Sequence, residues 1–358
     1  MDQAKILKMA QEISDANGVS GFEDAVLDVV RRYGAPYGEM SENSLRDLFL
    51  KRRGNKGNRP VVQLDAHTDE VGFMVQAVKP NGTLRFITLG GWVANNIPAH
   101  RVRVRNADGD YIPGIIATKP PHFMTAEERK KPAEVTEMVI DIGSASKEET
   151  IRDYKIRVGA PVVPDVDFQY LEKSGLMIGK AFDCRLGCVS ILSTLEELRG
   201  EELDVDLVAG FASQEEVGLR GAEVTARTIH PDAAIVFEGS PADDTFTEDY
   251  MIQTAIRRGP MLRHIDNRMI TNPRMLRFAL DLAEKNHIPV QEAVRTGGST
   301  NGGPIHLSNG SVPVIVVGLP VRYIHSHYGI AARTDVENAV KLACAVIRGL
   351  NAEVIGSF

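Results

Sequence analysis

Histidine and carboxylate side chains recur where apolar runs of the sequence end. His67 and Asp69 follow the run at residues 61–64, and the pair Glu215 and Glu216 follows the run at 205–211. Further residues of metal-ligand type are Asp183, Glu238 and His325. Imidazole and carboxylate together suit zinc, cobalt or manganese. Two metal ions ~3.5–4 Å apart need a shared carboxylate, separate ligands for each ion and an uncoordinated base, and this set of residues supplies those parts.

The strongest local signal is the stretch 210–222, which contains Glu215 and Glu216. Neighbouring side chains on an extended chain point in different directions, so one glutamate can bind a metal while the other faces the substrate water. Taken alone, the pair also suits a solvated turn, because adjacent glutamates are common. The interpretation of this pair as part of a metal site therefore depends on the other ligand-type residues.

The elements that must position these residues alternate between strands and helices. Apolar runs at 61–64, 205–211, 233–237 and 312–317 indicate buried strands, and helices are predicted at 186–198, 273–285 and 336–350. This alternation is typical of an α/β fold with a parallel or mixed sheet sandwiched by helices. Polar residues at the ends of such strands line a crevice in which ligands bind.

Two regions complete the predicted organisation. Two helices open the chain, and the second is preceded by Ser20 and Glu23 in the spacing of a capping box. Between residues 72 and 164, short β-like runs alternate with turn signals such as Pro80-Asn81-Gly82. We expect a small β-barrel or sandwich domain at 72–164, inserted into a main domain formed by residues 1–71 and 165–358.

Composition limits the partners. Of 358 residues, 43% are hydrophobic and 25% charged, with a formal net charge of -7, which is ordinary for a globular protein and argues against nucleic-acid binding. No run of ~18 apolar residues predicts a membrane span. Three cysteines, and no basic segment followed by an apolar stretch at the start, predict a reducing, cytoplasmic location.

Five segments carry a resemblance to a known family, and their order and spacing cover almost the whole chain. They are residues 65–72 (DAHTDEVG), 181–187 (AFDCRLG), 214–218 (QEEVG), 305–310 (IHLSNG) and 322–326 (RYIHS). With these motifs the chain resembles the tetrahedral (TET) aminopeptidases, peptidase family M42, which includes glutamyl aminopeptidases. The resemblance implies a zinc-aminopeptidase-like fold, short peptides as substrates, and dimers that assemble into dodecamers through the inserted domain.

The resemblance also assigns roles to the motif residues. It implies that His67 and Glu238 hold one divalent ion, that Glu216 and His325 hold the other, and that Asp183 bridges them. Zinc or cobalt is expected, with manganese as an alternative. Glu215 is then the general base that activates the metal-bound water, and Asp69 orients His67 through its second ring nitrogen.

The chain departs from the family pattern beside the site. Glu238 stands where most relatives have aspartate, and Cys184 follows Asp183 where an acidic residue is usual. We interpret Cys184 as a packed thiol, with a soft metal ligand as the alternative. His327 lies close to His325 but is left out of the metal set.

Substrate choice is less well marked. Arg257 and Arg258 precede Gly259-Pro260, where the family builds part of its substrate pocket, and are expected to favour an acidic first residue; a surface pair of arginines is the alternative. Gly298 and Thr300 belong to a glycine-rich loop, at 297–302, that is also expected to face the substrate.

Other functions remain open at this point. Carboxypeptidase or N-acyl deacylase action would use the same pair of metals. Alternatively, the chain is a catalytically inactive relative of the family that serves only as a peptide-binding or scaffold particle. Glycoside hydrolysis needs two carboxylates ~5–9.5 Å apart across a sugar. It is disfavoured because Glu215 and Glu216 are adjacent and the single tryptophan offers little stacking surface.

Overall fold

The computed structural model describes residues 2–358, whose elements form a large mixed sheet with helices and a small barrel. The helices are α1 (Gln3–Asp15), α2 (Asp24–Gly34), α3 (Lys147–Arg152), α4 (Phe182–Glu197), α5 (Arg220–Ile229), α6 (Pro273–Lys285), α7 (Gly302–His306), α8 (Arg333–Gly349) and α9 (Ala352–Gly356). Within residues 2–358, no helix combines the length and apolar character required to span a membrane.

The strands follow in chain order. Those before and within the barrel are β1 (Gly38–Glu42), β2 (Leu48–Arg52), β3 (Val61–His67), β4 (Gly72–Val78), β5 (Leu84–Leu89), β6 (Arg101–Arg105), β7 (Tyr111–Ala117), β8 (Val139–Asp141) and β9 (Pro161–Pro164). Those after it are β10 (Gln169–Leu171), β11 (Leu176–Gly179), β12 (Asp206–Ala212), β13 (Ala233–Pro241), β14 (Met261–Ile265), β15 (Gln291–Val294), β16 (Val314–Arg322) and β17 (Gly329–Ala332).

The main sheet has four parallel strands at its centre, in the order β12, β3, β13 and β16. Almost every residue of these strands is buried, as expected where helices cover both faces. Helices α1, α4, α6 and α8 share one apolar core with the sheet, and α5 and α7 share a second. Antiparallel strands extend both sides of the sheet. The predicted α/β fold with a mixed sheet between helices is confirmed.

The second region is a closed barrel in the order β4, β5, β8, β7, β6 and β9, with antiparallel neighbours. Its interior is filled by apolar side chains that include Phe73, Val102 and Ile140. The predicted inserted β-barrel is therefore confirmed as architecture. Its strands lie between Gly72 and Pro164, and we propose that this segment is a domain of its own.

The predicted capping box before α2 is wrong. The N-cap residue of α2 is Glu23, and its side chain makes no capping hydrogen bond. Instead, the Glu23 carboxylate accepts hydrogen bonds from the backbone N–H groups of Gly21 and Gln214, at 2.8 and 3.1 Å. The Ser20 hydroxyl donates to Asp69 at 2.6 Å. Both side chains therefore hold loops at the edge of the sheet and not the start of a helix.

Candidate metal centre

The residues predicted as metal ligands meet at one edge of the main sheet. His67 is the last residue of β3, and Glu238 lies in the second half of β13. Glu216 follows β12, His325 follows β16, and Asp183 lies at the start of α4. Parallel strands place their carboxyl ends at the same edge, so residues distant in sequence converge there.

One group of possible ligands surrounds His67. Its Nε2 lies 3.2 Å from Oδ1 of Asp183 and 3.5 Å from Oε1 of Glu238. Two ligand atoms bound tetrahedrally at metal distances of about 2.0–2.1 Å would lie about 3.3 Å apart. The three side chains are therefore spaced to share one ion.

A second group surrounds His325. Its Nε2 lies 3.3 Å from Oδ2 of Asp183 and 3.5 Å from Oε2 of Glu216. Asp183 belongs to both groups, and it faces each histidine with a different carboxylate oxygen. This is the arrangement of a carboxylate that can bridge two ions.

Two glutamates of these groups each have one carboxylate oxygen without the partner that a buried charge needs. Oε1 of Glu216 and Oε2 of Glu238 are buried without a hydrogen-bond partner. Burial, reinforced by the charge of Asp183, raises the pKa of Glu216 well above its usual value. Burial likewise raises the pKa of Glu238 to about 7. Because unpaired buried carboxylates are costly and divalent cations would satisfy both, the donor set fits metal ions.

Asp183 differs from its neighbours in its electrostatics. Burial alone would raise the pKa of Asp183, but hydrogen bonds with His325 and His67 hold it well below the usual range. Asp183 is therefore a carboxylate in the charged form, as a bridging ligand has to be.

Asp69 links the first histidine to the loop that carries the two glutamates. Its carboxylate lies 3.3 Å from Nδ1 of His67, which also lies 3.1 Å from the Asp69 carbonyl oxygen. The same carboxylate accepts hydrogen bonds from the backbone N–H groups of Glu215 and Glu216, at 2.9 and 3.1 Å. With the hydroxyl of Ser20 it forms a buried network. The sequence indicated the contact with His67 but not those with Ser20 and the glutamate loop.

Glu215 stands beside the first group and lines the cavity in front of it. Its Oε2 lies 3.8 Å from Nε2 of His67, farther than the oxygens of Asp183 and Glu238. Burial raises the pKa of Glu215 well above its usual value, and the nearby charge of Glu238 adds to this effect. A carboxylate so placed can exchange a proton with a molecule in the cavity.

Cys184 lies beneath the first group. Its thiol donates a hydrogen bond to the carbonyl oxygen of Phe237 at 3.0 Å and is fully buried. The sulfur also lies within 4.8 Å of ligand atoms of His67, Asp183 and Glu238. The hydrogen bond directs the thiol toward the backbone of β13 and favours the packed role.

The cavity beside the metal centre has a volume of about 780 Å³. Two arginines, Arg263 and Arg295, form part of its wall, and Gly298 also lines it. Arg263 is almost fully buried, and its guanidinium lies 3.3 Å from Asp266. Arg295 donates to Asp243 at 3.1 Å. Both guanidinium groups are thus already paired with a carboxylate of the chain, and Arg295, whose side chain is 23% exposed, is the more accessible of the two.

The other residues predicted to face the substrate lie elsewhere. Arg257 and Arg258 are exposed and do not line this cavity, and the Arg257 guanidinium donates to the carbonyl oxygen of Ser174 at 2.7 Å. Thr300 is fully buried, and its hydroxyl accepts a hydrogen bond from the backbone of Gly302 at 3.2 Å. Neither Arg263 nor Arg295 belongs to a motif that the sequence singles out, although Arg295 lies two positions before the glycine-rich loop at 297–302.

Comparison with known proteins confirms the resemblance in the motifs. The profile of the M42 glutamyl aminopeptidase family matches residues 47–342. The glutamyl aminopeptidase of Lactococcus lactis subsp. cremoris is 33% identical over 354 residues, which cover 98% of each chain.

Solved structures agree with this match. The TET aminopeptidase of Thaumarchaeota archaeon SCGC AB-539-E09 superimposes with a TM-score of 0.95 at 36% identity, covering 99% of each chain. The TET1 peptidase of Pyrococcus horikoshii, described as able to assemble into a tetrahedron or a large octahedral shell, gives a TM-score of 0.85 at 26% identity. That match covers 98% of this chain and 100% of the other. The chain therefore belongs to the M42 family of metal-dependent aminopeptidases and is a peptide hydrolase.

Proposed function

We propose that this aminopeptidase removes N-terminal residues from short peptides with a centre of two divalent ions. His67 and Glu238 would hold one ion, Glu216 and His325 would hold the other, and Asp183 would lie between them. The observation that carries this proposal is the carboxylate of Asp183, whose two oxygens face the two histidines at 3.2 and 3.3 Å. Zinc or cobalt suits these ligands best, and manganese is a further candidate.

The chemistry divides between the ions and Glu215. When bound, two divalent ions supply Lewis acidity to the scissile carbonyl and lower the pKa of water. Glu215 would accept the proton of the attacking water and deliver it to the leaving amine. Its position supports this role, because it lines the cavity and its Oε2 lies 3.8 Å from His67, farther than the oxygens of Asp183 and Glu238. His67, Glu215 and Glu216 also form a third group of possible ligands, and we assign Glu215 to proton transfer because Asp183 and Glu238 lie closer to His67. Asp69 would fix the relative positions of His67 and Glu215, because its carboxylate contacts the His67 ring and accepts a hydrogen bond from the Glu215 backbone.

The first experiment compares wild type with Glu215→Gln. An amide cannot act as the base, and removal of a general base typically lowers turnover by about 10²–10⁴-fold. We expect the variant to retain two ions per chain by elemental analysis while losing hydrolysis of an aminoacyl-anilide. Activity near the wild-type level would refute the assignment of Glu215.

A second experiment defines metal and substrate. A panel of aminoacyl-anilides is hydrolysed with zinc, cobalt or manganese, before and after chelation, and we expect chelation to abolish turnover. Peptides with free, N-acetylated or C-amidated ends separate aminopeptidase action from carboxypeptidase or deacylase action. Only peptides with a free N-terminus should be cleaved. Membership of the M42 family disfavours these alternatives, and also the scaffold role.

The wall of the cavity supports a preference among N-terminal side chains. We assign the substrate-facing positive charge to Arg263 and Arg295, in place of Arg257 and Arg258. The Nε atoms of both arginines are buried, but the side chain of Arg295 is 23% exposed. An acidic first residue would therefore gain a charge-assisted hydrogen bond with the Arg295 guanidinium in this cavity.

Assembly and location complete the proposal. The TET relatives form large homo-oligomers, and we propose that dimers of this chain build a dodecamer. Light scattering is expected to give a mass of about twelve times the 39.2 kDa of one chain. A cytoplasmic location is proposed because the three cysteines are free and buried, as is usual in a reducing compartment.

A further inference from the structure

The two histidines of the metal centre are supported in different ways. Nδ1 of His67 lies 3.1 Å from the carbonyl oxygen of Asp69, and the ring is completely buried. The side chain of His325 is 39% exposed, and its Nδ1 faces Gly91, where an added Cβ would lie 3.1 Å away. Metal-binding histidines are normally oriented through the second ring nitrogen. The contacts of the loop that carries His325 are therefore candidates for orienting its ring.

The loop that carries His325 is a tight turn after β16. Tyr323 and His325 both adopt positive φ angles, 64° and 57°, which non-glycine residues hold only when their surroundings fix them. The Ser326 hydroxyl lies 2.7 Å from the carbonyl oxygen of Tyr323 and 2.9 Å from that of Tyr328. These bonds shape the turn itself but do not attach it to the rest of the protein.

His327 provides that attachment. It is 1% exposed, and its ring stacks on His100 with a centroid distance of 4.1 Å and an angle of 8°. Trp92 and Phe73 surround the same ring at 5.1 and 6.2 Å. All three neighbours belong to the barrel segment. Both ring nitrogens of His327 are buried, and the backbone of Ile97, which also belongs to the barrel segment, is the polar group beside the ring. Aromatic packing against the barrel segment therefore holds most of the ring.

The barrel also backs His325 directly. A Cβ atom added to Gly91 would lie 3.1 Å from Nδ1 of His325, and one added to Gly90 would lie 3.1 Å from Oε2 of Glu216. The second group of ligands is therefore pressed against the barrel, whereas His67 and Glu238 belong to the strands of the main sheet. Any shift of the His325 loop away from the barrel would open this group.

We propose that His327, through its stack on His100, is a positioning residue that holds His325 in place for the second metal ion. The inference rests on the proposed two-metal centre. It predicts that the barrel and the second ion are coupled, and that the first ion is largely independent of the stack.

The test measures metal affinity. Chelator-stripped protein is titrated with Co²⁺ by calorimetry and visible absorption, with His67→Ala and His325→Ala as references for the loss of each site. Loss of an orienting partner typically weakens metal binding about 10- to 100-fold. We expect His327→Ala and His100→Ala to weaken the His325 site by this factor and to leave the affinity of the His67 site essentially unchanged.

Two further variants separate positioning from folding. His327→Phe keeps a ring of similar size for stacking and should retain most of the wild-type affinity. Phe86→Leu disturbs the barrel core next to Phe73 without touching the stack, and it should leave both sites unchanged. Because His100 and His327 act as one unit, the double alanine variant should be little worse than either single variant.

Several results would overturn the inference. Unchanged affinity of the His325 site in both alanine variants would do so, as would additive losses in the double variant or an equal loss in Phe86→Leu. A wild-type protein that binds fewer than two ions would instead contradict the proposed metal centre itself.

Discussion

Replacement of Asp69 by asparagine tests whether one buried carboxylate positions both sides of the metal centre. Oδ1 of Asp69 accepts from the backbone N–H of Glu215, and Oδ2 accepts from Glu216 and from Ser20. An asparagine has one oxygen, so at least one of these backbone donors would face an amide NH₂ group. His67 would also lose the charge opposite its Nδ1.

The magnitude follows from these contacts. An unsatisfied buried donor costs about 1–3 kcal/mol, and a hydrogen bond to a charged group is about 1 kcal/mol stronger than one to a neutral group. We therefore expect the free energy of unfolding of metal-free Asp69→Asn to fall by about 2–4 kcal/mol. Binding at the His67 site should weaken by about 10- to 100-fold, because Asp69 orients that ligand.

The assay combines urea denaturation with calorimetric titration of Co²⁺, and Asp335→Asn provides a matched control. Asp335 is also buried and accepts two backbone hydrogen bonds, from Arg257 at 2.6 Å and Gly259 at 2.8 Å, but it lines no part of the metal centre. The control should lose stability and keep its metal affinity. The reasoning is refuted if Asp69→Asn keeps wild-type metal affinity, or if both variants lose it equally.

Three further predictions concern charge, thiol and pH. Arg295→Ala should lower kcat/KM for a glutamyl-anilide by about 10-fold, the effect of one lost hydrogen bond to a charged group, and leave kcat/KM for a leucyl-anilide unchanged. Arg257→Ala should change neither value. Equal losses on both substrates in Arg295→Ala would contradict the assignment of Arg295 to the substrate pocket. Cys184→Ser should still bind two ions per chain, because the thiol of Cys184 is hydrogen-bonded to the backbone. Wild type loaded with Co²⁺ should likewise show no thiolate-to-cobalt absorption band. The presence of such a band would show that the thiol is a metal ligand. Burial raises the pKa of Glu23 and of Glu238 from 4.5 to about 7, so the folded metal-free chain binds more protons there than the unfolded chain. The free energy of unfolding of the metal-free chain should therefore fall as the pH rises from 5 to 7. If urea denaturation showed this free energy to increase over the same range, the prediction would be contradicted.

Features set by local patterns were predictable from the sequence. The apolar run at 61–64 and the helix at 273–285 appear as β3 and α6, the latter with the predicted bounds. The central strands are almost pure apolar runs because both of their faces are buried, so their ends could be located. Since ligand-type residues lie at or near the carboxyl ends of those strands, the convergence of His67, Glu238 and His325 could be anticipated, although β13 continues past Glu238 to Pro241.

Features that depend on distant contacts could not be predicted in this way. Ser20 has the spacing of a capping residue, but its hydroxyl binds Asp69, which is 49 positions away. Arg257 and Arg258 lie in a family-like position, yet the chain turns their side chains to the surface. Arg263 enters the cavity from β14, which pairs with the edge of β16. No local pattern indicates that pairing.

Anomalous diffraction from crystals grown with zinc or cobalt would locate the ions. We expect two peaks ~3.5–4 Å apart, one beside His67 and Glu238 and the other beside Glu216 and His325, with an oxygen of Asp183 reaching each. A single peak, or a pair that does not flank Asp183, would contradict this expectation.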